Sequence, residues 1–147
     1  MNARMRRLDR LLEVRRIAED VERSHLLAAH TAVSVVEAAR ERQQQAIEGA
    51  AASSADALGR GHRNEWLFAE AQSEVAAGNR ARLLPLLSAR RAGIAPATAA
   101  YLEKRRELRQ IQQLVAEGRE RQRLSDGRRA QAAADDWFLA RRLRKPR

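Results

Sequence analysis

The sequence predicts an all-α chain folded as an elongated antiparallel two-stranded coiled-coil hairpin with a kinked helical middle segment, and three observations carry that expectation. Good helix formers (Ala, Arg, Leu, Glu, Gln) dominate the 147 residues, while aromatics make up only 3%, the profile of long helices rather than strands. A 3-4 spacing of apolar or small residues runs through the first third of the chain. Two stretches rich in Gly, Ser or Pro separate that third from the last, which resumes the spacing.

The first helix is expected over about 5–48. Its seam runs Leu11, Val14, Ala18, Val21, His25, Ala28, Ala32, Val35 and Ala39, about five heptads at the 3.5-residue period of a left-handed coiled coil. Its alanines permit close helix approach but bury little apolar area. Residues 49–64 (GAAASSADALGRGHRN) contain three glycines and two serines, which predicts a bend, fray or loop. Asn64 can then cap a middle helix with Glu65 at its positive end. Leu67, Ala71, Val75 and Leu83 suggest one face of it, weakened by Gly78 and Pro85. A second break is expected at RRAGIAPAT, with Pro96 in the first turn of the next helix. That last helix, about 99–143, has Leu108, Ile111 and Val115 on its seam. The whole forms one domain, its interrupted middle spanning 49–98.

Several chemistries lack the residues they need. There is no cysteine, so neither a disulfide framework nor a thiolate site is possible. His25 and His30 are five apart, not the three or four that stack ligands on one helix face, and His62 lies in a Gly/Arg loop. Asp135 and Asp136, being adjacent, diverge by about 100° on a helix and cannot work as a paired acid and base. GRGH at 59–62 lacks the Lys-Ser/Thr of a phosphate loop. No enzyme, metal, cofactor or small-molecule substrate is therefore expected. The charged start of the chain and the absence of a long apolar run give the expectation of a cytosolic protein without membrane insertion.

The net charge of +10 sits mostly in the last third, where residues 101–147 carry 14 basic and 7 acidic groups. Such a field attracts acidic protein faces, nucleic acid or anionic membranes alike. In the final helix Glu103, Glu107, Glu117 and Glu120 interleave with the arginines, and residues 102–129 contain no stacking aromatic. A solvated face laced with ion pairs fits better than a nucleic-acid-binding one. Trp66 and Phe68, two apart, cannot both face one hairpin seam; either one is exposed and available as an interface anchor, or the middle helix folds back and buries both. Trp137 and Phe138 pose the same question near the end.

Three segments, RLDRLLEVRRIAEDVERSHLLAAH, YLEKRRELRQIQQLVAEGRERQR and RRAQAAADDWFLARR, together resemble the flagellar export protein FliJ family, soluble components of the bacterial type III protein export apparatus. FliJ-like chains tend to end in a glutamine, an acidic pair, an aromatic or aliphatic residue and two arginines; here these are Gln131, Asp135, Asp136, Trp137, Arg141 and Arg142. Alanines occupy 132–134 where the family commonly has a leucine, and residues 50–98 carry no diagnostic match. The related YscO-type proteins of virulence secretion would look similar. The resemblance implies a non-enzymatic stalk or adaptor for flagellum biogenesis and motility, similar to the coiled-coil shaft of a rotary ATPase. It would be cytoplasmic and held peripherally at the inner membrane by the export complex. Implied partners are the hexameric export ATPase (FliI-like), the export gate protein (FlhA-like) and export chaperones. On that basis Arg6, Arg7, Arg141 and Arg142 are candidates for the ATPase ring, and Trp66 and Phe68 for the gate. A basic nucleic-acid-binding coiled coil and a purely structural one are the alternatives.

Overall fold

The computed structural model describes residues 3–144 and is all-α: α1 (Ala3–Arg60), α2 (Arg63–Ala92) and α3 (Ile94–Leu143). The chain divides into two compact units. The turn unit, Val21–Leu102, holds most of α1, all of α2 and the start of α3. The terminal unit combines residues 1–20 with 103–147. Each unit is an antiparallel helix pair. In the terminal unit Asp9 meets Arg119 at 3.1 Å and Arg15 meets Glu107; in the turn unit Glu37 meets Arg91 at 2.8 Å and Ser54 meets Glu70 at 2.7 Å. In both, the partner's number falls as that of α1 rises.

The boundaries differ from those expected at three places. α1 does not stop near 48 but continues to Arg60. The glycines at 49 and 59 have open space around them, and each costs about 1 kcal/mol against alanine. The surrounding alanines and the packing of buried Ala50, Ser54 and Ala57 offset that cost. The turn is confined to Gly61, whose φ of 75° is the one positive value among the described residues. Gly61 N–H donates to the Leu58 carbonyl and His62 N–H to the Ala57 carbonyl. This pair of bonds is the Schellman arrangement, which needs a residue that tolerates the left-handed region.

His62 rather than Asn64 holds the N-cap position of α2, without a side-chain cap bond, although Glu65 does lie in the first turn. Gly78 and Pro85 are absorbed within the helix; Pro85 is exposed, so the carbonyl deprived of its donor lies on the solvent side. The break expected across 90–98 shrinks to Gly93, whose φ and ψ of −73° and −15° are themselves helical. Pro96, in the first turn of α3, has no N–H for the Ala92 carbonyl, which accounts for the interruption there.

Burial shows a regular seam, in a different register on α1. In the terminal unit the inward positions of α1 are Met5, Leu8, Leu12, Arg15 and Glu19, against Leu108, Ile111, Val115 and Gly118 of α3. A Cβ on Gly118 would lie 2.7 Å from the Met5 sulfur, so a side chain is missing where the helices come closest. In the turn unit α1 turns Leu26, Ala29, Val33, Val36, Ile47, Ala50 and Ala57 inward, against Ala69, Ala76, Leu83, Leu87 and Ile94. Val33, Val36 and Leu87 form the core there, with Leu83 and Ile94 packed on it.

Leu108, Ile111 and Val115 therefore lie on the seam as expected. Leu11, Val14, Ala18, Val21, Ala28, Ala32 and Val35 do not: they stand one residue before the buried positions. Val14 and Val35 are each 60% exposed and Val21 46%, whereas Leu12 is 9% and Val36 6% exposed. Ala18 and Ala32 are half-buried at the seam's edge, Ala28 is exposed, and His25 points outward beside Glu22. A one-residue shift rotates a helix by about 100°, enough to carry a stripe from contact to solvent. On α2, Leu67, Ala71 and Val75 are likewise exposed.

Candidate partner-binding surfaces

The candidate arginines all reach solvent, but they are not one cluster. Arg6 and Arg7 flank Met5, which packs at Gly118, whereas Arg141 and Arg142 lie 23 and 24 residues beyond Gly118 on the same helix. At 1.5 Å rise per residue that is about 35 Å along α3. The two pairs therefore present separate positive surfaces within the terminal unit.

The end of α3 is the most distinctive surface there. From Asp126 to Arg144 every described side chain is exposed. Local pairs along its approach support the helix: Arg121 with Glu117, Arg123 with Glu120, Gln122 with Asp126 and Gln131 with Asp135. The Arg123 guanidinium holds the Glu120 carboxyl below its ordinary pKa, and Glu120 in turn raises Arg123. Trp137 and Phe138 meet edge to face at 5.3 Å, and the Arg141 guanidinium lies 5.2 Å from the Trp137 ring. Phe138, Leu139 and Leu143 remain 63%, 58% and 87% exposed.

In the turn unit Trp66 and Phe68 separate as their spacing requires. Trp66 is half-buried and lines a small hollow with Ala57, Leu58 and Gly61, while Phe68 is exposed beside a shallow groove lined by Ala46, Gly49, Ala50, Ala71 and Val75. The small residues of α1 make this groove, and Phe68 and Val75 give it an apolar rim.

Sequence reasoning missed the polar part of the terminal unit's seam. Arg15 bonds Glu107, which also accepts Lys104 Nζ at 3.2 Å, and Glu19 is 4% exposed. The available signal was the 4-3 run from Leu8 through Leu12, Arg15 and Glu19, visible only if charged residues are admitted to the seam. Among the described residues no three His, Asp or Glu side chains gather as a metal site would require, and no helix is long and apolar enough to cross a membrane. Comparison with protein-family models, curated proteins and solved structures returns no match to this chain.

Proposed function

We propose that this chain is a non-enzymatic FliJ-like stalk or adaptor of bacterial type III protein export, linking a hexameric ATPase to an export gate protein and handling export chaperones at the inner membrane. The observation that carries the reading is the closing segment. Gln131, Asp135, Asp136, Trp137, Arg141 and Arg142, the residues of the FliJ-like ending, stand on a stretch of α3 whose described side chains are all exposed, as a docking element requires. The antiparallel helix pairs fit the shaft-like role by their stiffness. Arg141 and Arg142 would meet an acidic face of the ATPase ring, with Arg6 and Arg7 forming a second, separate contact. Phe68 is the better gate anchor, because Trp66 is partly engaged by its own unit.

The test is the affinity of purified chain for a purified flagellar-type export ATPase and gate protein. Wild type should bind both. Arg141→Ala with Arg142→Ala should weaken ATPase binding about tenfold or more at low salt, with a smaller loss at high salt. Phe68→Ala should weaken gate binding alone. Failure of the wild type to bind flagellar and virulence-type ATPases alike would overturn the assignment.

A further inference from the structure

On a helix, residues i, i+3, i+4 and i+7 share a face. Near the end of α3 these positions are occupied by Asp135, Phe138, Leu139 and Arg142, all exposed. Read in reverse, the face runs cation, apolar, apolar, anion, so it is its own complement in an antiparallel pairing. With a twofold axis between Phe138 and Leu139, each Phe138 opposes the other copy's Leu139 and each Asp135 opposes the other copy's Arg142. Such self-complementarity is the defining property of an isologous interface.

The charges on this face are not satisfied within one chain. Asp135 and Arg142 are seven residues apart, about 10 Å along the axis, too far to pair directly. The only side-chain contact of Asp135 among the described residues is a 3.3 Å bond from Gln131, and Arg142 has none. Arg141, about 100° round the helix from Arg142, lies over the Trp137 ring, which itself meets Phe138 edge to face. A polyanionic ligand would be drawn by Arg142 but repelled by Asp135. A second copy satisfies both.

We infer that this chain self-associates through antiparallel pairing of the α3 ends, with Asp135, Phe138, Leu139 and Arg142 of each copy forming the contact. The contact is short, well under the buried area of a stable dimer, so association should be weak and show only toward high concentration. The inference goes beyond the export proposal and does not rest on it. Because Arg142 is used in both, ATPase engagement and self-pairing would compete.

The test is a charge swap, followed by sedimentation equilibrium from about 10 to 500 µM at low salt. Wild type should shift toward dimer across that range. Asp135→Arg presents two cations per face and Arg142→Asp two anions, so each variant alone should remain monomeric. An equimolar mixture of the two should associate at least as tightly as wild type. Both positions are exposed, and circular dichroism checks that helicity is retained. Wild type that stays monomeric at the highest concentration overturns the inference, as do single variants that associate like wild type. A mixture of helical variants that fails to associate overturns it too.

Discussion

Val35 and Val36 are chemically identical neighbours on α1, and placing aspartate at each in turn should separate the two registers available to that helix. Val36 is 6% exposed and packs with Val33 and Leu87, whereas Val35 is 60% exposed. Val36→Asp forfeits about 1.5 kcal/mol of buried apolar side chain. It also buries a carboxylate against Val33 and Leu87, adding about 2 kcal/mol. The sum of about 3.5 kcal/mol corresponds to a fall in melting temperature of about 10 °C for a chain of this size. Val35→Asp should stay within about 0.5 kcal/mol of wild type, as surface changes do. Thermal melts followed by circular dichroism read both. Equal melting temperatures, or a larger loss at position 35, would refute the assigned register.

Other expectations follow from single features. Gly61→Ala should cost about 1–2 kcal/mol, because φ is positive there, whereas Gly59→Ala, in an exposed helical position with open space, should be neutral or gain up to about 1 kcal/mol; chemical denaturation compares them. Glu107→Ala removes the carboxylate shared by Arg15 and Lys104 and should cost about 1 kcal/mol, since the pair is partly solvated. A double-mutant cycle with Arg15→Ala should recover part of that cost as coupling. The lowered pKa of Glu120 means that the Arg123 contact contributes fully above the ordinary carboxylate range and is lost as pH falls through the lower folded value. Side-chain NMR titration should show the Glu120 midpoint rising in Arg123→Gln.

The helical class and the register of α3 were legible because both are local. Composition and the spacing of Leu108, Ile111 and Val115 are properties of one segment. The extent of α1 was less so, because three glycines were weighed against the alanines between them without the packing of Ala50 and Ala57 on α2. Of the candidate sites, exposure of Arg6, Arg7, Arg141 and Arg142 was legible from charge. Their separation was not, since it depends on Met5 meeting Gly118, and no single-helix pattern encodes that.

The register of α1 shows where local pattern ends. The helix carries two 3-4 series offset by one residue. One, through Leu11, Val14, Ala18 and Val21, is apolar throughout; the other, through Leu8, Leu12, Arg15 and Glu19, is half charged. Hydrophobicity alone selects the first, and the structure buries the second. The deciding factor lies on the opposing helix of the terminal unit, where Glu107 meets Arg15 and Lys104 meets Glu107. A seam containing such pairs gains little net stability, yet sliding either helix by a turn would part Arg15 from Glu107 and leave the half-buried Arg15 guanidinium without that partner. An apolar seam rich in alanine tolerates that slip, because one small residue replaces another. The charged layer therefore selects among pairings that apolar contact alone leaves nearly equal in energy, and it does so through complementarity between segments about 90 residues apart, information that the α1 sequence by itself does not contain.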